Sequence, residues 1–194
     1  MILSFLWLVG CLGVVTILTS TASMYQTVVK CVRYERGGVF AEFWDAYKKN
    51  LRQGVVLTLA FGAVGALLGW GDYQVFFVLQ SRSAEMFTLT LGLTILSIVY
   101  LLNVIWLVPV FSRFSNSFWN IIRLNYVIAM KNLLRSIPIV LILAAMVIVF
   151  LAVNVSILLL PALAALGNSF FSEPALHRFM PPQEEEGDWR YGDK

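Results

Sequence analysis

The sequence predicts an all-α fold: a polytopic bundle of transmembrane helices with four spans, a weaker fifth helix and two amphipathic helices on the cytoplasmic side. Three observations predict it. Apolar side chains make up 59% of the 194 residues and charged ones 13%, against roughly 45–50% and 25% in soluble domains. The charged residues punctuate long uncharged runs instead of being scattered. Lys and Arg gather in two blocks between those runs, which is a membrane-orientation pattern. A chain this short cannot hide so much apolar surface from water, because small domains keep a high ratio of surface to volume. A soluble monomer, a disordered chain and a disulfide-stapled secreted module are therefore excluded. The net charge of +3 is too modest to point to nucleic acid.

Residues 1–180 read as one membrane domain, and each element can be justified in order. Residues 1–29 carry no charged side chain. A signal peptide has a basic leading region and a short apolar core; this run has no basic leader and is long. It predicts a first span over 2–25. Cys11 lies inside it and Cys31 just past it, so on one helix the two thiols would sit about 30 Å apart, far beyond bridging distance. Between Arg52 and Asp72 lie 19 uncharged residues, between Glu85 and Arg113 lie 27, and between Arg135 and Glu173 lie 37. About 20 apolar residues cross a bilayer, which predicts spans over 54–71, 86–110 and 137–160. Pro161 then interrupts the pattern. The stretch 162–180 holds Gly167, Asn168, Glu173, Pro174, His177 and Arg178, and reads as an imperfect fifth helix that returns the C-terminus to the cytoplasm. Residues 181–194, with Glu184, Glu185 and Glu186, read as a solvated acidic tail.

Lys and Arg number six after the first span (Lys30, Arg33, Arg36, Lys48, Lys49, Arg52), one after the second (Arg82) and four after the third (Arg113, Arg123, Lys131, Arg135). The basic segments 30–53 and 113–135 are thus expected to be cytoplasmic, with the N-terminus and the Asp72-to-Glu85 loop outside. In the first of them Phe40, Phe43, Trp44, Tyr47 and Leu51 share a helical face, opposite Glu42, Asp45, Lys48, Lys49 and Arg52. Gly37 and Gly38 ahead of it let the chain turn. Such a helix fits the headgroup layer of a membrane or the docking surface of a partner, and the two roles can coexist. The second segment, residues 111–135, has no Gly or Pro and predicts a helix with Phe114, Phe118, Ile121 and Ile128 on one face. Gly62, Gly65, Ala66 and Gly69 fall at the small-residue spacing that permits close helix packing.

No catalytic constellation is legible, and no enzyme activity, cofactor, metal or small-molecule substrate is expected. His177 is the lone histidine and reads as a helix-end residue, since zinc needs three or four ligands. Gly69-Trp70-Gly71-Asp72 matches the bare string of intramembrane aspartyl proteases, but that chemistry needs a second aspartate sharing a proton, and no expected span carries one. Stand-alone transporters usually show ionisable groups inside their spans. The four spans show only Asn103 and Asn154 as notable polar groups.

The first basic segment carries a resemblance. Met24-Tyr25, then Lys30-Cys31-Val32-Arg33-Tyr34-Glu35-Arg36-Gly37-Gly38-Val39-Phe40, then Phe43-Trp44-Asp45-Ala46-Tyr47-Lys48-Lys49-Asn50-Leu51-Arg52-Gln53-Gly54 resembles the core motif of the YesL family of bacterial membrane proteins. Pro109 to Phe114, Asn132 to Pro138 and Ala162 to Phe171 resemble that family's later segments. The resemblance implies a multi-pass protein of the bacterial cell membrane. It also implies an auxiliary subunit of an ABC-type carbohydrate (oligosaccharide) importer, with the importer's transmembrane subunits and membrane lipid as partners. A regulator or assembly factor of such an importer, or a small stand-alone channel or transporter, are the alternatives. Aromatic and arginine side chains anchor interfaces, so Arg33, Phe43, Trp44, Tyr47 and Arg113 are the expected contact residues.

Overall fold

The computed structural model describes residues 2–78, 84–114, 117–152 and 159–180. These form seven α-helices: α1 Ile2–Gly10, α2 Ile17–Thr27, α3 Val39–Tyr73, α4 Ala84–Arg113, α5 Phe118–Lys131, α6 Leu133–Ala152 and α7 Leu160–Leu176. Three stretches are long and apolar enough to cross a membrane: Val39–Phe76, Phe87–Arg113 and Leu133–Ala152. They mark a multi-pass helical membrane protein, as the composition requires. Residues 153–158 of the expected 137–160 span, Asn154 among them, and the acidic 181–194 tail lie outside the described residues.

The first expected span takes a different form. Residues 2–25 are not one helix but two, broken around Cys11 to Gly13 and folded back on each other. The indole Nε1 of Trp7 donates to Thr21 Oγ1 at 3.1 Å, and Ser20 Oγ donates to the Trp7 carbonyl at 2.8 Å. On a straight helix those positions would stand about 20 Å apart. The close approach is permitted by Gly10, where an added Cβ would fall 2.5 Å from Ser20 Oγ. At the tip Thr16 Oγ1 donates to the carbonyl of Gly10 at 2.8 Å, satisfying an orphaned helix-end group. Leu3 therefore packs in one cluster with Met24, Tyr25, Val28, Val29 and Phe43. The start of α1 thus lies at the same end of the hairpin as Val28, Val29 and Phe43.

A helical extension, Val28–Arg33, continues α2 to a tight turn. There Glu35 and Gly37 take positive φ of 53° and 81°. Only glycine adopts that conformation without cost, which is why Gly37 sits there. The chain then enters α3, which fuses the expected amphipathic helix and second span into a single rod of 35 residues, about 52 Å long. Its first half packs antiparallel to α2, and its second half antiparallel to α4. Gly54 is the crossing point: a Cβ there would lie 2.1 Å from Thr19 Oγ1 and 3.3 Å from a Phe111 ring carbon. Further along α3, Tyr100 Oη donates to the Phe61 carbonyl and Ser97 Oγ donates to Asp72, both at 2.7 Å.

Helix α5 buries Ile121, Asn125, Ile128 and Ala129, the i, i+4, i+7, i+8 stripe of an amphipathic helix. Phe114, Ile121 and Ile128 all join the main core around Trp106, as the sequence pattern anticipates, and Phe118 packs against it. Helices α6 and α7 form a second antiparallel pair, with Gly167 of α7 against Ile142 of α6. Helix α7, Leu160–Leu176, covers most of the stretch 162–180 where the sequence predicts a helix, and the turn His177–Phe179 closes it. Phe179 lies under the Lys131 ammonium, 5.6 Å from its ring centroid. Both basic segments and the end of α7 thus gather at one end of the bundle, away from Asp72.

Candidate functional site

Three helices meet at a buried charge cluster. Arg113, at the last turn of α4, donates from Nε to Glu173 Oε1 of α7 at 3.1 Å, and its terminal nitrogen pairs with Glu173 Oε2. Tyr25 of α2 donates its hydroxyl to Glu173 Oε1 at 2.8 Å and shares a 2.6 Å hydrogen bond with Ser172 Oγ. Glu173 is 0% exposed and Arg113 3%. A carboxylate that receives a forked guanidinium and a phenol has both oxygens hydrogen-bonded, the condition under which a buried ion pair is tolerated. The cluster ties α2, α4 and α7 together. Its chemistry is that of a structural lock, since Glu173 is committed to its partners.

Two further ties flank it. Arg33 reaches α7, donating to the Ser169 carbonyl at 2.7 Å while its guanidinium lies 4.9 Å from the Phe170 ring centroid. Lys30 pairs with Glu42 of α3 at 2.5 Å, and Gln26 Nε2 donates to the same carboxylate at 3.1 Å. The nearby Cys31 thiol has its pKa pushed up, by partial burial first and by the Glu42 carboxylate second. The thiolate is the reactive form, and this shift disfavours it. Both cysteines are free.

Above the charge cluster lies an apolar cavity of about 190 Å³, walled by Trp7 and Thr21 of the hairpin, Val108 of α4, Leu143 of α6 and Ala164 of α7. Asn168 also borders it, and its Oδ1 is buried without a hydrogen-bond partner.

The structure sorts the expected contact residues into two groups. Phe43 is 1% exposed and packs against Tyr25 and Val29 in the hairpin core. Arg33 and Arg113 point inward as described. Phe43 is buried because the aromatic stripe is rotated so that Phe43, Ala46, Gly54 and Leu57 face the protein, Arg113 is buried in its ion pair, and Arg33 is half-buried. Trp44 stays exposed at 43%. Its ring stacks on that of the half-buried Tyr47 at 5.6 Å, and Lys48 Nζ lies 5.4 Å from its centroid. Of the small residues, only Gly65 is in close contact, where an added Cβ would meet the Tyr100 hydroxyl at 2.5 Å. Gly62 and Gly69 face open space, and Ala66 is exposed.

Among the described residues no three His, Cys, Asp or Glu side chains come together as a metal site would need. His177 sits in the closing turn of α7. The Arg113–Glu173 pair was not anticipated. Its sequence signal is a single carboxylate amid apolar residues, which by membrane logic demands a buried cation.

Residues 1–71 match the model of a family described as a protein of unknown function, DUF624. The match covers the hairpin, the turn and α3 to Gly71. No curated protein and no solved structure matches the chain. The N-terminal part, with the Trp44 face and the Lys30–Glu42 tie, is thus similar to a family whose role is itself unassigned.

Proposed function

We propose that this protein is an auxiliary membrane subunit that docks on a larger membrane assembly through the first half of α3, and that the assembly is an ABC-type carbohydrate importer. The observation that carries the docking surface is the exposed Trp44, stacked on the half-buried Tyr47 and beside Lys48, continued by the exposed Lys49 and Arg52. Aromatic rings and cations held in place are typical interface anchors. The importer assignment rests on the resemblance of residues 24–54 to the YesL pattern. In this reading residues 30–53 and 113–135 face the cytoplasm by the positive-inside rule, and the folded-back hairpin brings the N-terminus to that side too. The protein acts by binding and not as an enzyme.

The test is co-purification of the tagged full chain from native membranes in mild detergent, with its neighbouring genes expressed. Importer subunits should co-elute, and Trp44→Ala combined with Lys48→Ala should reduce them several-fold while membrane insertion is unchanged. Absence of importer subunits from the wild-type eluate contradicts the reading.

One observation favours a second reading, a small transporter: the buried Arg113–Glu173 pair lies beneath a cavity bordered by an unpartnered Asn168 oxygen. Solute uptake into vesicles by the purified protein alone, lost in Glu173→Gln, would select it.

A further inference from the structure

A second cavity lies on the outer surface of the bundle, remote from the charge cluster. Its volume is about 550 Å³, and it is an open slot between α3, α4 and α5. Val64 and Leu68 of α3 and Leu96 and Val99 of α4 form its apolar walls, and Arg123 and Tyr126 of α5 border it. From Ala60 to Leu68 the α3 wall runs about 12 Å. The cation sits at one end only. Arg123 and Tyr126 flank Asn125, whose Nδ2 donates to the Asn103 carbonyl at 2.9 Å and so pins α5 to that end of the slot. Leu68 and Leu96 mark the other end, next to the Asp72–Ser97 hydrogen bond. No acidic side chain lines the slot, and Arg123 is exposed with no salt bridge among the described residues. Trp119, 75% exposed, stands one turn from Arg123 on the same outward face of α5.

We infer that this slot is a binding site for one anionic phospholipid, its acyl chain along Val64, Leu68, Leu96 and Val99 and its phosphate on Arg123. The walls along those roughly 12 Å are apolar, which suits part of an acyl chain better than a polar metabolite. The guanidinium presents planar donors that suit a phosphate, and basic pockets between membrane helices select acidic headgroups. Trp119 and Tyr126 place that end of α5 at headgroup level, where amphipathic rings collect. The site differs from the docking face on α3, whose cations are Lys48, Lys49 and Arg52.

The purified full chain in mild detergent, titrated with phosphatidylglycerol or phosphatidylcholine and read by native mass spectrometry, tests this. One phosphatidylglycerol should be retained in preference to phosphatidylcholine. Arg123→Gln should lower that preference about tenfold, the weight of one lost charge-assisted hydrogen bond. Val64→Trp, which fills the slot and keeps the cation, should abolish retention. Lys48→Gln should change nothing. Equal retention of the two lipids, or an Arg123→Gln protein that binds like wild type, leaves only unspecific annular lipid and overturns the site. Displacement of the lipid by an equal concentration of inorganic phosphate would also overturn it, reassigning Arg123 to a soluble anion.

Discussion

Arg113 and Glu173 stand 60 positions apart in sequence and are the most deeply buried opposite charges described in the fold. Removing one partner leaves an uncompensated charge in an apolar interior. Arg113→Ala should therefore cost about 3–5 kcal/mol, read as a lower thermal unfolding midpoint in detergent. The paired replacement Arg113→Met with Glu173→Leu should recover most of that loss, because two apolar side chains of similar volume need no desolvation. Tyr25→Phe removes one hydrogen bond to the carboxylate and should cost about 2 kcal/mol. A single Arg113→Ala protein as stable as wild type would show that the pair holds nothing. The sequence displays each of these residues but not their meeting. Glu173 reads as a flaw that weakens a span, because hydropathy sums along one segment and carries no information about which distant helix supplies a cation.

At the scale of elements, the long helices were legible and the first one was not. Periodicity over 111–135 picks out Ile121 and Ile128 on the buried face, but the helix there is shorter, Phe118–Lys131, because Phe111 to Arg113 belong to α4 and α6 begins at Leu133. Residues 2–25 satisfy the length rule for a span, yet form a hairpin. Hydropathy responds to composition, while the reversal depends on a pairing of Trp7 with Thr21 and Ser20. Small residues show the same limit. Spacing singles out the 62–69 stripe, whereas the tightest crossing is at Gly54, because closeness is decided by what faces a residue. Gly54→Ala should destabilise by about 1–3 kcal/mol, the usual cost of overpacking. Gly62→Ala, facing open space, should be neutral or stabilising by up to about 1 kcal/mol, through helix propensity. Thermal unfolding of the two variants side by side separates them. The hairpin has its own test. In a cysteine-free background, Ile2→Cys and Lys49→Cys should be labelled by an impermeant thiol reagent from the same side of a sealed vesicle. Labelling from opposite sides would restore a straight first span.

For the whole molecule, the arrangement is polarised. The hairpin termini, the basic first half of α3, the Arg113 end of α4 and the end of α7 share one end of the bundle, bound by Arg113–Glu173, Lys30–Glu42 and Arg33–Ser169. Lys30, Arg33 and Arg113 are occupied in these ties, whereas Lys48, Lys49 and Arg52 are exposed beside Trp44. The two blocks of Lys and Arg announce this polarity in the sequence, while the division between tied and outward cations needed the fold. In the proposed role the outward group meets a protein. A photoreactive residue in place of Trp44, activated in native membranes, should give a discrete adduct with another integral membrane protein, reproduced from position Lys48. Adducts with lipid alone at both positions would contradict it.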